Sequence, residues 1–162
     1  EDYVAQSAAF ESQVLSFLVE GVFQKCPALK LVLIESGFTW LPTLIWRTSK
    51  TWRGVRPEVP WIDRPPAEIL REHVRLTLQP VDAPKGDPEP LKRTLEPIGC
   101  DRTLRLSAQY PHWHLDRADV LPDGLPAEAV RRLLIDNPLD TYPRLREGAV
   151  MGDTAGTAEA VR

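Results

Sequence analysis

The sequence predicts an α/β fold: a parallel sheet covered by helices. Three observations carry that prediction. Apolar residues recur at helical spacing near the start of the chain. Short aliphatic runs bounded by turn residues follow, as in strands that sit inside a parallel sheet. The two patterns then alternate in the order helix, strand, helix, loop, helix, strand, helix, strand, helix, which is the signature of βα units. With 162 residues, the chain has room for about one domain.

Residues 3–25 predict an amphipathic helix. Phe10, Val14, Phe17, Leu18, Gly21 and Val22 fall on one face. Glu1 and Asp2 favour its N-terminal dipole end, and Pro27 cannot continue it. Leu31 to Ile34 is a continuous apolar run, expected to be a strand buried on both faces. It ends in Glu35-Ser36-Gly37. Thr39 is expected to open a helix through Trp46 and Trp52, with Pro42 in its first turn. Residues 54–64, with Pro57 and Pro60, predict a fixed loop.

Pro65 and Pro66 pre-set φ for a helix that runs to about His73. Val74 to Leu78 alternates and predicts a strand closed by Pro80. Residues 81–88 are turn-rich. A helix is expected from about Glu89 to Ile98, with Gly99 past its end. Leu104 to Ala108 predicts a third strand, and Gln109-Tyr110-Pro111-His112-Trp113-His114 follows its C-terminal end. Pro126 begins a helix through Leu134, which Asn137 is expected to end. Residues 147–162 show no periodic apolar face and are expected to be a disordered tail after a folded unit spanning 1–146. Three strands cannot close a barrel, since eight need about 250 residues. The pattern fits a small open sheet or part of something larger.

Composition narrows the function classes. Hydrophobic content of 43% and charged content of 27% are those of an ordinary globular chain. A net charge of −3, with Arg and Lys interleaved with acids, argues against a nucleic-acid partner. No apolar run reaches the roughly 18 residues of a membrane span. Glu1 and Asp2 stand where a secretory leader would be basic, and the only methionine is Met151. The expectation is a cytoplasmic chain that is a fragment or a processed product. Cys26 and Cys100 are too far apart in sequence for a zinc or redox pair and read as isolated thiols.

A set of short motifs in a fixed order resembles one family. It comprises Glu20-Gly21-Val22-Phe23, Leu33-Ile34-Glu35-Ser36-Gly37, Thr39-Trp40-Leu41-Pro42, Trp46-Arg47 and Trp52-Arg53-Gly54. It continues with Glu58-Val59-Pro60-Trp61, Arg71-Glu72-His73-Val74-Arg75, Gln79-Pro80, Tyr110-Pro111-His112-Trp113, Asn137 and Thr141-Tyr142. The chain resembles the amidohydrolase-related group that includes aminocarboxymuconate-semialdehyde decarboxylase-like enzymes, from about residue 3 to 145. The resemblance implies a TIM-type (β/α)₈ barrel of which this chain is the C-terminal part, strands six to eight. It also implies a divalent metal (zinc, manganese or iron) in the complete barrel and a small-molecule substrate.

The family's His-x-His metal pair on its first strand, and a further His on its fifth, have no counterpart here. Two ligand positions do fall within the chain. At the end of the sixth strand many relatives carry His; this chain has Glu35, as one branch does. A carboxylate there suits a hard or borderline metal; the alternative is a strand-end Glu paired with an Arg. At the end of the eighth strand the family carries a metal-binding Asp that handles the proton of the attacking water; this chain has Gln109. A neutral amide is a weaker ligand and cannot act as a general base near neutral pH.

His112 is a candidate catalytic residue on the rim where active sites of this fold lie. Arg47 and Trp113 are candidate substrate-binding residues; Arg47, Arg53, Arg56 and Arg64 could pair with a carboxylate or form a solvated surface. Most of the tryptophans read as packing. His73, beside Arg71 and Arg75, reads as a helix-dipole partner.

Three functional expectations follow. The chain is part of a metal-dependent hydrolase or decarboxylase, inactive without the other strands; or a non-catalytic subunit that supports an intact amidohydrolase-family partner chain; or a decayed product with an exposed strand edge.

Overall fold

A computed structural model of the chain describes residues 2–81, 87–107, 121–122 and 125–149. Helix α1 (Asp2–Val19) leads to the short α2 (Val22–Lys25) and strand β1 (Leu31–Leu33). Helices α3 (Leu41–Val55) and α4 (Pro66–His73) precede β2 (Val74–Thr77). Helices α5 (Pro88–Ile98) and α6 (Cys100–Thr103) precede β3 (Leu104–Arg105). The C-terminal segment is α7 (Ala127–Arg131), a wide π-turn over Arg132–Asp136, α8 (Asn137–Thr141) and α9 (Arg144–Ala149). Among the described residues no helix is long and apolar enough to cross a membrane.

The sheet has the order β1-β2-β3, and both pairings are parallel. Leu33 pairs with Leu76, and Leu76 with Leu104. Alternation therefore puts Leu31, Leu33, Val74, Leu76 and Leu104 on one face and Val32, Arg75, Thr77 and Arg105 on the other. The apolar set joins Val14, Leu18, Phe23, Ile69, Leu70 and Ile98 in a single core. This confirms the predicted α/β class and the parallel sheet.

Several expected boundaries shift, each for a physical reason. The helix expected over 3–25 breaks after Val19, because Gly21 takes the left-handed conformation (φ 69°). Trp61 enforces the break: its ring lies against Gly21, where a Cβ would sit 2.7 Å from Cδ1, and its Nε1–H donates to Val19 O at 2.7 Å. Only glycine fits that backbone and that approach. The helix expected from Thr39 starts at Leu41, with Pro42 in its first turn as predicted.

β1 ends at Leu33 and is half-buried rather than covered on both faces, and Ile34 is 56% exposed. The reason is position: β1 is an edge strand, with β2 on one side only. The second strand stops at Thr77 rather than Leu78, and the third spans only Leu104–Arg105, with Leu106 and Ser107 outside it. Ala108 lies outside the described residues. Helix α5 ends as expected at Gly99 (φ 69°); it starts at Pro88, where Asp87 Oδ1 caps it by accepting from Glu89 N–H at 3.0 Å.

Asn137 does not end the last predicted helix. Its N–H donates to Arg132 O, five residues back, so the chain widens into a π-turn and continues as α8 with Pro138 in the first turn. α9 runs to Ala149, past the expected start of the tail at 147. Residues 150–162 lie outside the described residues.

Candidate functional site

In α/β barrels the chemistry lies at the C-terminal ends of the strands and stability at the N-terminal ends. The two ends of this sheet differ in kind. At the C-terminal end, β1 runs into Glu35, whose backbone is left-handed at φ 59°. For a residue other than Gly, Asn or Asp this costs about 1 kcal/mol or more. The surrounding bonds hold it there. Glu35 N–H donates to Thr77 Oγ1 at 3.0 Å, and the Thr77 hydroxyl donates to Gln79 O at 2.9 Å. One hydroxyl thus ties the end of β1 to the end of β2.

The following turn is fixed as firmly. Ser36 Oγ donates to Gly37 O at 2.8 Å, and Trp40 Nε1–H is shared between Ser36 O and Gly37 O at 3.0 and 3.1 Å. Past β2, Gln79-Pro80 is a cis peptide. Past β3, Ser107 Oγ is buried with no hydrogen-bond partner among the described residues.

Glu35 therefore stands where a site carboxylate was expected, half-buried at a strand end. Among the described residues it makes no ion pair with an Arg. Gln109, His112, Trp113 and His114 lie outside the described residues. Arg47 is exposed on α3, lining an apolar groove with Leu15 and Val19 of α1, whereas Glu35 sits at the end of β1. Arg56 stacks over the Trp52 ring at 4.5 Å from its centroid, and Arg64 pairs with Glu72. These arginines do not converge with Glu35. Thr77 escaped sequence reasoning as a site residue; a hydroxyl at the last position of β2, beside Leu76, was its one signal.

The opposite end of the strands opens into a charged cleft of about 1210 Å³, whose walls include Lys30, Arg71, Glu72, Arg102, Arg131 and Asp140. Arg75 lines it with 3% of its surface exposed. Its Nη1 donates to Arg71 O and Val74 O, both at 2.9 Å, and its Nη2 lies 3.8 Å from Asp140. Burial lowers its pKa; Asp140 opposes that, and Arg102 adds to it. Arg105 is buried to the same degree. Its guanidinium donates to Thr103 O and Asn137 O, both at 3.0 Å. Burial first, and the neighbouring Arg75 second, bring its pKa down to about 10.

His73 closes α4 from within. It is 1% exposed, its Nδ1–H donates to Leu29 O at 2.8 Å, and its ring stacks on Phe23 at 4.6 Å. The carbonyl can only accept, so the proton is on Nδ1. This histidine sits in the last turn of α4, where a helix-dipole partner was expected, and from that buried position it also clamps β1's approach to α4.

The family's metal tests these residues directly. Among the described residues no group of three or more His, Cys, Asp or Glu could hold a metal ion. Glu35 offers one carboxylate at the right end of the sheet, so the described residues do not fit a complete metal centre.

Comparison with known proteins gives two findings. The family model described as amidohydrolase matches residues 4–144. Among solved structures, the chain is similar to an amidohydrolase from Mycobacterium avium subsp. paratuberculosis K-10, at a TM-score of 0.67 and 25% sequence identity. That match covers 86% of this chain and 35% of the mycobacterial one, so this chain spans about a third of that protein's length. No curated protein matches the chain.

Proposed function

The chain belongs to the amidohydrolase family, and from that premise we propose that it is the C-terminal portion of a metal-dependent hydrolase or decarboxylase barrel. In this reading β1, β2 and β3 are the sixth, seventh and eighth strands, and the chain works only with strands it does not carry. The supporting observation is the Glu35 turn. A carboxylate is held in a costly left-handed backbone at the C-terminal end of a parallel strand, by Thr77 of the next strand. Strain of this kind persists only where its surroundings over-determine it, and it clusters at functional sites.

Glu35 would contribute one oxygen ligand to a divalent ion whose other ligands come from outside this chain's described residues. Bound, that ion would supply the activation of a water or the polarisation of a small-molecule substrate. Glu35 and Thr77 would act by position: the carboxylate set at the strand end, the hydroxyl fixing its backbone. A second reading, a non-catalytic subunit that supports an intact amidohydrolase-family partner, is favoured by Gln109, which offers an amide where the family uses a carboxylate.

The test is to read the source DNA upstream of the Glu1 codon. An in-frame continuation that encodes a His-x-His at a strand end is the expected result. An in-frame stop codon followed by a start codon overturns the truncated-barrel reading. The second reading then predicts co-purification with a metal-bearing relative.

A further inference from the structure

The outer edge of β3 is already occupied. Arg105 O accepts from Leu78 N–H at 2.7 Å, so the polar groups of Arg105 face β2. By alternation, the carbonyl of Leu104 and the N–H of Leu106 face away from the sheet. Both have partners. Asn137 Nδ2–H donates to Leu104 O at 2.7 Å, and Leu106 N–H donates to Leu133 O at 3.2 Å. In a parallel ladder those two groups would be met by the N–H and the C=O of one residue on the next strand. Here a side-chain amide supplies the N–H and a helical carbonyl supplies the C=O.

The sequence explains why that carbonyl is available. In an α-helix Leu133 O would accept from Asn137 N–H, but the π-turn directs that N–H to Arg132 O. The next residue in the five-residue register is Pro138, which has no N–H to give. Leu133 O is thus left without a donor inside its own helix, and Leu106 N–H takes it. Arg105 locks the arrangement by donating Nη2 to Asn137 O at 3.0 Å, joined there by Thr141 Oγ1 at 2.9 Å.

We propose that residues 132–138 form an edge guard: a helical turn that imitates one residue of a neighbouring parallel strand and occupies the docking edge of β3 at Leu104–Leu106. An open edge is a template for pairing with another chain, and this guard closes it from within. Any strand that joins the sheet on this side pairs beyond Leu106. The inference goes beyond the proposed function and does not rest on it, since it concerns hydrogen bonds within this chain.

The test is amide hydrogen exchange by NMR on the full 162-residue chain, with size-exclusion chromatography across a concentration series. In the unsubstituted chain the Leu106 amide should exchange on the order of a hundredfold more slowly than an unprotected one. Asn137→Ala should raise the Leu106 rate about two- to tenfold, in line with the loss of one or two modest hydrogen bonds, and should promote self-association. Pro138→Ala is the sharper variant and covers the case in which Asn137→Ala does not fold. It raises helix propensity, yet its new N–H can claim Leu133 O, so Leu106 should exchange about two- to tenfold faster. Leu106 exchanging freely in the unsubstituted chain, or unchanged in Pro138→Ala, overturns the guard. Neither result bears on family membership or on the upstream gene.

Discussion

The two ends of this small sheet invert a common intuition about where function lies. The N-terminal end holds the charge: two buried guanidiniums, Asp140 and a wide cleft rimmed by arginines and acids. The C-terminal end holds one carboxylate, one bridging hydroxyl and a tightly bonded turn. Yet the charged end has the marks of structure. Arg75 and Arg105 spend their hydrogen bonds on backbone carbonyls of Arg71, Val74, Thr103 and Asn137, which ties helices to strands. The sparse end stores backbone strain at the residue where a ligand is expected. Charge density marks how the fold is held, and strain marks where the chemistry is expected.

The comparison breaks most visibly at Arg105. Arg105→Ala removes a fully buried side chain and takes a donor from the carbonyls of Thr103 and Asn137, of which Asn137 O keeps Thr141 Oγ1. A loss of about 2–4 kcal/mol is expected, the sum of a cavity and the hydrogen bonds lost at buried carbonyls. Urea unfolding measures it. A loss under about 1 kcal/mol would mean that the buried charge is as costly as its bonds are useful, and the charged end would lose its structural reading. High pH is the converse probe. The folded pKa, about 10, lies below that of the unfolded side chain, so burial of the charge opposes folding at neutral pH. That opposition is relieved as pH rises above about 10.

A smaller effect of opposite sign is expected at the C-terminal end. Glycine adopts the backbone of Glu35 without strain, and alanine does not. Glu35→Gly should therefore be more stable than Glu35→Ala by about 0.5–1 kcal/mol, read from urea midpoints. Equal midpoints would remove the claim that this turn stores strain, and with it the observation that supports the functional reading.

What was legible in the sequence follows from the range of the forces involved. The βα alternation is local, and the helical face of Phe10, Val14, Phe17 and Leu18 turned inward as its spacing predicts. Gly99 announced the end of α5 because a left-handed cap has a residue signature. The break at Gly21 was not legible, because Trp61, 42 residues from Val19, imposes it. The π-turn was hidden for the same reason, since its unused carbonyl makes sense only beside the edge of β3. At the site, Glu35 was reached through motifs, but its left-handed backbone was not, since glutamate is an uncommon residue there. Thr77 read as one more strand residue. Gln109, His112 and Trp113 lie outside the described residues.

The smallest expected effect sharpens the account of the charged end by separating its floor from its rim. Glu72 lies on the rim, 42% exposed, paired with Arg64 and 3.8 Å from His73 Nε2. The Arg64 hydrogen bond holds its carboxyl below the usual glutamate value; partial burial opposes this, and the charges of Arg64, His73 and Lys30 assist. The sign follows from that depression. The unfolded chain takes up this proton at higher pH than the folded chain does. The stabilisation is therefore fully present above the unfolded value of about 4.5 and is lost as pH falls through the lower folded value. Solvent screens an exposed pair, so the contribution should stay well under about 1 kcal/mol. Urea midpoints of the unsubstituted chain and of Glu72→Gln should differ slightly near neutral pH and converge in acid. A difference that persists or grows in acid would show that Glu72 acts through packing rather than charge. A difference as large as that at Arg105 would show that an exposed rim pair carries the fold as much as a buried guanidinium does. At this end of the sheet, burial would then no longer decide which charges matter.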